Sequence, residues 1–244
     1  MSQSAPRLFV DHDLAADLLV PATDAQAHYL MTVMRRRAGE EVWLFNGRHG
    51  EWRGVVEPVG KRQCDLRVID RRRVQTSELD IWLVFAPVKN ARLEILVEKA
   101  TELGASALLP VLTERTVVRR LNLDRLRAHA IEAAEQSNRL DVPEVREMIG
   151  LDQLLGEWPQ YRRMIYADEI GPAPAARGAL LALSPKPCGV LIGPEGGFTT
   201  TERDRILTLW DVVPISLGPR LLRADTAALA ALAMTQAFIG DHSA

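Results

Sequence analysis

The stretch Val190-Leu191-Ile192-Gly193-Pro194-Glu195-Gly196-Gly197-Phe198 decides the fold class of this chain, because it joins a short apolar run to a glycine-rich loop. Such an apolar run is typical of a strand that is buried on both faces of a parallel sheet. The three glycines allow the backbone to approach a ligand closely and to adopt positive φ angles. Thr199 and Glu202 follow with the spacing of a capping box, so we expect a helix to begin there.

Apolar runs alternate with helical segments on both sides of this stretch. The alternation predicts an α/β domain with a mostly parallel sheet, since parallel strands need a crossover between them. The predicted strands are Ile81–Phe85, Ala107–Leu112, Arg163–Ala167, Gly189–Ile192 and Val212–Leu217, and the predicted helices cover residues 92–103 and 123–136.

The first part of the chain has a different pattern. Residues 40–70 alternate between apolar and polar with period two, and Asn46-Gly47 and His49-Gly50 are strong turn signals. Several short strands with glycine turns predict a small β-barrel. The polar, basic segment Arg71–Glu78 is interpreted as a linker. We therefore predict a β-barrel domain over residues 1–72 and an α/β domain over residues 78–244.

The composition is that of an ordinary soluble globular protein, with 244 residues, 47% hydrophobic and 25% charged. The two cysteines, Cys64 and Cys188, are far apart and predict neither a disulfide framework nor a metal site, which favours an intracellular location. The first residues do not resemble a signal peptide. The apolar stretch Leu221–Gly240 is interrupted by charged and polar residues, so we expect a buried helix there and no membrane span.

The charge of the chain leaves its partner undecided. The net charge of −2 does not indicate nucleic-acid binding. Basic residues nevertheless cluster in Arg35-Arg36-Arg37, Lys61-Arg62 and Arg71-Arg72-Arg73, where they could contact phosphates. A solvated surface is the alternative interpretation of these clusters.

A second loop, Leu217–Arg223, leads into a helix predicted to begin near Asp225 or Thr226. Ligands bind at the carboxyl ends of parallel strands, so two such loops predict a shared small-molecule cleft; a plain tight connection is the alternative for either loop alone. Neither loop is a dinucleotide or phosphate fingerprint. Serine-elbow and metal-site motifs are also absent from the sequence, and we predict no metal.

The two loops resemble those of the SPOUT RNA methyltransferases, and of the RsmE family in particular. That family has a GPEGGF-type loop followed by Thr and Glu, and an LGxRxLR segment closed by Thr-Ala. Here Asp225 stands where Glu is usual, and the match around Pro87–Arg92 is approximate. Further segments that are similar to the family extend the resemblance over nearly the whole chain: His28–Leu30, Val33–Arg35, Phe45–Gly47, Lys89–Gly104, Pro110–Thr116 and Glu132–Arg139.

The resemblance implies a fold and an activity. The fold would be a SPOUT α/β domain with a deep trefoil knot, preceded by a PUA-like β-barrel domain that binds RNA. The activity would be methylation of uridine N3 in the 16S ribosomal RNA of the small subunit, with S-adenosyl-L-methionine (SAM) as cofactor. A cytoplasmic homodimer is also implied, in which the second subunit completes the cleft.

The resemblance also implies roles for individual residues. Arg223 is the first candidate to stabilise negative charge on the target base, and its alternative role is to pair with Glu195 or Asp225. The general base is open among Asp225, Glu195 and Glu102. The predicted cofactor-binding residues are Leu191, Ile192, Gly193, Pro194, Glu195, Gly196, Leu217, Gly218, Leu221, Leu222 and Thr226, and the predicted RNA-binding residues are Arg7, His28, Arg35, Arg36, Arg115 and Arg139.

Two other functions are compatible with the residues. One is a SPOUT enzyme that modifies another RNA, such as tRNA, and the resemblance in the first domain argues against it. The other is a non-catalytic RNA-binding or ribosome-assembly factor. The glycines at 193, 196, 197 and 218 disfavour the second alternative if they are present to accommodate a cofactor.

Overall fold

The computed structural model describes residues 5–60, 63–76 and 78–240, without the side chain of Asn90. The chain divides into two compact units. One comprises Met1–Ser77 and Ala134–Val142, and the other comprises Glu78–Ala133 and Pro143–Ala244. The basic pair Lys61-Arg62 lies outside the described residues. No sequence pattern had indicated that residues 134–142 belong to the first unit.

The first unit contains a five-stranded sheet. Its strands are β1 (Arg7–Phe9), β2 (Leu19–Pro21), β3 (Glu41–Phe45), β4 (Glu51–Pro58) and β5 (Cys64–Arg73). Their order is β1-β3-β4-β5-β2, with β1 parallel to β3 and all other neighbours antiparallel. The strands predicted within residues 40–70 are confirmed. The described pairing ends at β1 and β2, so it forms a sheet without a closed ring of strands.

Period-two alternation gives this sheet its core. Leu8, Val20, Leu44 and Leu66 are buried in one cluster, because alternate side chains of a strand point to the same face. A short helix, α1 (Asp24–His28), begins at a capping box and continues into a π-helical turn, Tyr29–Val33. Leu30 of this turn is fully buried in the same cluster, so the sequence between β2 and β3 covers the sheet.

The predicted linker Arg71–Glu78 is wrong at its start, since β5 continues to Arg73. Arg72 and Arg73 contribute to an ion-pair cluster around Glu51, whose side chain is 1% exposed, with N···O distances of 3.3 and 3.6 Å. A buried carboxylate needs such partners. The basic run that suggested a solvent-exposed linker therefore partly neutralises a buried acid.

Residues 134–142 are attached to the first unit through Arg7. Its guanidinium donates hydrogen bonds to the backbone carbonyl oxygens of Ala134, Glu135 and Arg139, at 2.9, 3.0 and 2.5 Å. The Glu135 carboxylate in turn accepts a hydrogen bond from the backbone N–H of Phe9 at 3.0 Å. These bonds join segments more than 120 positions apart in the sequence.

The second unit contains a seven-stranded sheet whose described pairs are all parallel, as predicted. Its strands are β6 (Ile81–Phe85), β7 (Ala107–Leu112), β8 (Glu144–Val145), β9 (Ile149–Gly150), β10 (Arg163–Ala167), β11 (Cys188–Ile192) and β12 (Val212–Ile215). Their order is β12-β10-β11-β6-β7-β8, and β9 also pairs with β7. The helices are α2 (Asn90–Glu102), α3 (Leu123–Gln136), α4 (Leu151–Gly156), α5 (Ala176–Leu181), α6 (Thr200–Ile206) and α7 (Ala224–Ile239).

This topology brings three strand ends together. β10 lies between β12 and β11, and all three run in the same direction. The loops that follow their carboxyl ends therefore lie at one edge of the sheet. On the sheet itself, Val84, Leu109, Met164 and Leu191 belong to one buried cluster, which explains why the strands are continuously apolar in sequence.

The apolar stretch near the C-terminal end of the chain forms α7, as expected for a buried helix. Ala228, Ala231 and Leu232 are fully buried. None of the helices within the described ranges combines the length and apolarity needed to cross a membrane. Cys64 and Cys188 are both buried and unpaired.

Candidate functional site

A cavity of about 530 Å³ lies at the carboxyl ends of β10, β11 and β12. Its volume falls within the range of roughly 300–1,000 Å³ that is usual for small-molecule sites. The two loops selected from the sequence both contribute to its wall, together with a third loop. The lining residues are Ala167–Glu169 after β10, Ile192–Glu195 after β11, and Ile215–Ala224 with Ala227 after β12.

Most of the predicted cofactor-binding residues line this cavity, and three do not. Leu191 is fully buried in the core of the sheet. Gly196 lies beside the cavity wall, where its carbonyl oxygen accepts a hydrogen bond from Arg115 at 2.6 Å. Thr226 is exposed in the first turn of α7. The predicted residues in the lining are Ile192, Gly193, Pro194, Glu195, Leu217, Gly218, Leu221 and Leu222.

Contacts within the protein explain two of the glycines in the loop after β11. A Cβ atom at Gly193 would lie 2.8 Å from Phe198, whose ring packs edge-on against Tyr166 at a centroid distance of 5.6 Å. Gly197 has φ +67°, and a Cβ atom there would collide with the Glu169 carboxylate. The sequence argument assigned these glycines to close approach of a cofactor; in the structure the protein's own packing already requires them, so they do not by themselves exclude a non-catalytic protein.

The capping box predicted at the start of the next helix is confirmed. The Thr199 hydroxyl accepts a hydrogen bond from the backbone N–H of Glu202, and the Glu202 carboxylate accepts one from the backbone N–H of Thr199. Glu202 also accepts a bond from the backbone N–H of Glu114 at 2.8 Å. This buried carboxylate therefore fixes the glycine-rich loop to the loop after β7.

The loop after β10 is organised by Asp168. Its carboxylate, 1% exposed, accepts hydrogen bonds from Arg203 of α6, with the shortest at 2.8 Å, and from the backbone N–H of Gly171 at 3.1 Å. Burial alone would raise the pKa of Asp168, but the bonds from Arg203 and Gly171 outweigh it, and the net pKa is lowered. Asp168 is thus a buried, ionised anchor of the cavity wall.

Glu169, the next residue, lines the cavity. Burial raises the pKa of its carboxyl group, and the neighbouring charge of Asp168 raises it further. Sequence reasoning missed this loop because it searched for glycine-rich turns. The signal that could have found it was present: Arg163–Ala167 was a predicted parallel strand, and two acidic residues follow it directly.

Arg223 lines the cavity and is exposed. Within the described part of the chain it makes no ion pair with Glu195 or Asp225, so the alternative role considered for it has no support in the structure. Among the candidate bases, Glu195 lines the cavity, whereas Glu102 lies on α2 and binds Lys99 at 2.8 Å. Asp225 lies in the first turn of α7, and its Oδ1 atom is buried without a hydrogen-bond partner among the described residues.

The six predicted RNA-binding residues fall into two groups. Arg7, Arg36 and Arg139 have side chains that are only 10%, 12% and 5% exposed, and each is paired with an acidic residue of the first unit. His28, Arg35 and Arg115 are exposed. Arg115 belongs to the second unit and contacts the glycine-rich loop through Gly196. The available basic surface is therefore smaller than the sequence suggested.

Comparison with known proteins identifies the family. A family model described as an RNA methyltransferase domain matches residues 75–236, and one described as an RNA methyltransferase PUA domain matches residues 22–69. A Rickettsia conorii protein named Ribosomal RNA small subunit methyltransferase E is 30% identical over 241 residues, which cover 97% of this chain and 96% of that protein. This chain belongs to the RsmE family of RNA methyltransferases. The Bacillus subtilis RsmE protein is 34% identical over 86% of each chain.

Solved structures agree with the RsmE assignment. An RsmE protein from Neisseria gonorrhoeae bound to S-adenosyl methionine superimposes with a TM-score of 0.86 at 27% identity, covering 97% of this chain and 99% of that chain. A Legionella pneumophila methyltransferase in complex with SAM gives a TM-score of 0.88 at 30% identity, covering 98% and 100%. The predicted combination of an α/β methyltransferase domain with a PUA-like domain is confirmed.

Proposed function

We propose that this RsmE protein transfers a methyl group from SAM to N3 of a uridine in the 16S ribosomal RNA of the small subunit. The observation that carries the proposal is the single cavity formed by the loops after β10, β11 and β12, in a chain whose relatives are named small-subunit rRNA methyltransferases. Two similar proteins have been solved with this cofactor bound.

The residues of the cavity fit SAM. Apolar side chains of Ile192, Leu217 and Leu222 suit a purine ring, and the glycine-containing loops offer backbone N–H and C=O groups. Glu169 adds a carboxylate that can accept hydrogen bonds from a ligand. When bound, the cofactor supplies the electrophilic methyl group, and the protein supplies position and electrostatic field. Direct contact with the cofactor also remains a prediction for Leu191, Gly196 and Thr226.

The chemistry assigned to the chain itself concerns the uridine. Its N3 carries a proton that must leave, and the negative charge that develops on the base has to be stabilised. Arg223 offers a guanidinium at the cavity wall, free of carboxylate partners among the described residues, so it suits this role. Glu195 and Asp225 are the candidate general bases; Glu102 is set aside because it lies outside the cavity lining and binds Lys99.

The target uridine has to be unpaired or flipped out, because N3 lies on the Watson–Crick edge. We assign the first unit, with the exposed His28 and Arg35, to RNA binding. For Arg7, Arg36 and Arg139 the internal ion pairs support a structural role in place of the predicted RNA contact. The SPOUT trefoil knot, the cytoplasmic location and a homodimer that completes the cleft also belong to this proposal.

The test is methyl transfer from labelled SAM to small ribosomal subunits that lack native modifications, followed by mass analysis of the nucleosides. The expected product is 3-methyluridine on small subunits and none on tRNA. Transfer to tRNA at another atom would indicate a different SPOUT substrate. Measurable SAM binding without transfer to any RNA would contradict the assigned substrate, and absence of SAM binding would favour a non-catalytic RNA-binding factor.

Gly196→Trp tests the location of the cofactor site. The backbone of Gly196 is outside the left-handed region, and the nearest atom to an added Cβ is Arg115 Cδ at 3.3 Å, so a side chain can be accommodated by moving one flexible neighbour. The added side chain faces Arg115 beside the cavity wall, so an indole there should displace Arg115 and disturb the loop, weakening SAM binding in calorimetry while the unfolding transition is kept. Gly178→Trp, at an exposed helical glycine with open space around it, is the matched control. Normal SAM binding by Gly196→Trp would contradict the predicted contact between Gly196 and the cofactor.

A further inference from the structure

We propose that Glu169 is a cofactor-binding residue whose carboxylate accepts hydrogen bonds from the ribose hydroxyl groups of SAM. The inference rests on the proposed function, because it adds one contact within the same cavity. Glu169 belongs to neither of the two loops selected from the sequence and follows β10, the middle strand of the three.

The loop that carries Glu169 is fixed by its neighbours on both sides. The Asp168 carboxylate holds Arg203 of α6 and the backbone N–H of Gly171. An added Cβ at Gly171 would collide with both Arg203 and Asp168, so the loop closes tightly around this ion pair. The position of Glu169 is therefore determined by a buried, charge-assisted anchor and does not depend on its own side chain.

The Glu169 carboxylate is held against the next loop. It lies so close to Gly197 that a Cβ atom there would collide with its Oε1 atom. Gly197 also has φ +67°, a conformation that other residues rarely adopt. The carboxylate thus occupies a position between the loops after β10 and β11, on the wall of the cavity.

The Glu169 carboxylate has no hydrogen-bond donor among the residues that the structure describes. No hydrogen bond or ion pair to Glu169 is formed by the described residues, and the nearby Arg203 is engaged by Asp168 at 2.8 Å. Glu169 is exposed on the cavity wall, so its carboxylate is accessible to a ligand. Partial burial and the charge of Asp168 raise the pKa of Glu169. Hydrogen-bond donors from a ligand would replace those of water at this carboxylate.

The order of the strands indicates which part of SAM provides those donors. β10 lies between β12 and β11, so a ligand that contacts the loops after β11 and β12 crosses the loop that carries Glu169. SAM has adenine at one end, methionine at the other, and ribose between them. The ribose presents two adjacent hydroxyl groups, and a carboxylate has two oxygens to accept from them. In dinucleotide-binding α/β folds, a carboxylate accepts a hydrogen bond from the ribose 2′-hydroxyl.

The first experiment compares wild type with Glu169→Gln by calorimetry on the full-length protein. Three ligands are used: SAM, S-adenosylhomocysteine, and 5′-methylthioadenosine, which has the ribose but no amino-acid group. The dissociation constants of all three should rise by about tenfold, as expected for loss of a charge-assisted bond. Glu147→Gln, at an exposed carboxylate of the same unit outside the cavity lining, should leave all three unchanged.

The second experiment removes the ligand's side of the proposed hydrogen bond, the ribose hydroxyl group. S-adenosylhomocysteine lacking its 2′- or 3′-hydroxyl group should bind wild type about tenfold more weakly than the parent ligand. The same deletion should have little further effect on Glu169→Gln, because the two changes remove one interaction. Glu169→Asp, which keeps the charge on a shorter side chain, should bind more tightly than Glu169→Gln; it serves as the second variant if the glutamine form folds poorly.

The outcomes separate this inference from the function on which it rests. Weaker binding of SAM and S-adenosylhomocysteine with unchanged 5′-methylthioadenosine would assign Glu169 to the methionine ammonium group and overturn the ribose contact. Additive effects of Glu169→Gln and hydroxyl deletion would also overturn it. If wild type binds all three ligands and Glu169→Gln binds them equally well, the role of Glu169 is contradicted and the proposed function stands. If wild type binds none of the three, the proposed function itself is contradicted.

Discussion

At the scale of single residues, the proposed reaction assigns the stabilisation of negative charge on the uridine to Arg223. It ends the loop after β12, lines the cavity and is the N-cap residue of α7, where it makes no side-chain capping bond. Its neighbour Arg220 is also exposed on the cavity wall. Two arginines of similar exposure on one loop allow the electrostatic role to be separated from a general effect of positive charge.

Arg223→Ala should lower the rate of methyl transfer by about 10²–10³-fold, the usual effect of removing one group that stabilises developing charge. The affinity for SAM should change by no more than about threefold, because the guanidinium is assigned to the uridine; the loss should therefore appear in kcat and not in the cofactor KM. Single-turnover kinetics with saturating SAM measure the rate of methyl transfer in each variant. Arg220→Ala is the matched control, and an equal loss in both variants would contradict a specific role for Arg223.

At the scale of elements, the wall of the cavity depends on the bonds between α6 and the neighbouring loops, including the loop after β10. Arg203 in α6 and Asp168 after β10 form a buried ion pair, while Glu202 of the same helix fixes the glycine-rich loop and the loop after β7. One helix of seven residues therefore positions loops from three strands. Its sequence had indicated only the capping box at its N-terminus.

Asp168→Asn should lower the free energy of unfolding by about 2 kcal/mol at pH 7, since hydrogen bonds to a charged group are lost from a buried site. The pKa of Asp168 is lower in the folded state than its ordinary value of 3.8, so its stabilisation is complete above that value and disappears as the pH falls through the folded pKa. Urea unfolding from pH 7 to pH 2 should thus show the two proteins converging below about pH 4.

Asp204→Asn is the control for this change, because Asp204 also faces Arg203 but is 68% exposed and 4.0 Å away. A surface pair of this kind contributes little, and the variant should unfold like wild type. An equal loss of stability in both variants, or a difference between wild type and Asp168→Asn that does not shrink as the pH falls from 4 to 2, would contradict the assigned anchor.

At the scale of the whole molecule, the proposed homodimer can be tested at the edge of the cavity. Leu221 lines the cavity and is 88% exposed, so it can report on whether a second chain covers this edge. The proposed homodimer would supply that cover.

Sedimentation equilibrium should therefore give a mass of about twice the 27.1 kDa of one chain. Dilution below the dissociation constant of the dimer should weaken SAM binding in parallel, because the cleft loses the surface that shields Leu221. A protein that remains monomeric at all concentrations and binds SAM with unchanged affinity would contradict the proposed assembly. Bovine serum albumin added to the dilute samples controls for loss of protein to surfaces.

The sequence by itself determined the local features of this protein. Continuous apolar runs predicted the parallel strands, period-two alternation predicted the first sheet, and Thr199 with Glu202 predicted the start of α6; all depend on neighbours a few positions apart. The loops Gly193–Phe198 and Leu217–Arg223 and the family resemblance followed from contiguous motifs in the same way.

Only the tertiary structure decided which distant groups meet. Strand order places Glu169 between the two predicted loops, and the bonds of Arg7 to Ala134 and Arg139 assign residues 134–142 to the first unit. In the same way, contacts between distant segments pair Arg72 and Arg73 with the buried Glu51 carboxylate. The physical reason is that burial and charge pairing depend on distances in space, and a residue's type and its sequence neighbours do not specify which partner from a distant segment will neutralise it.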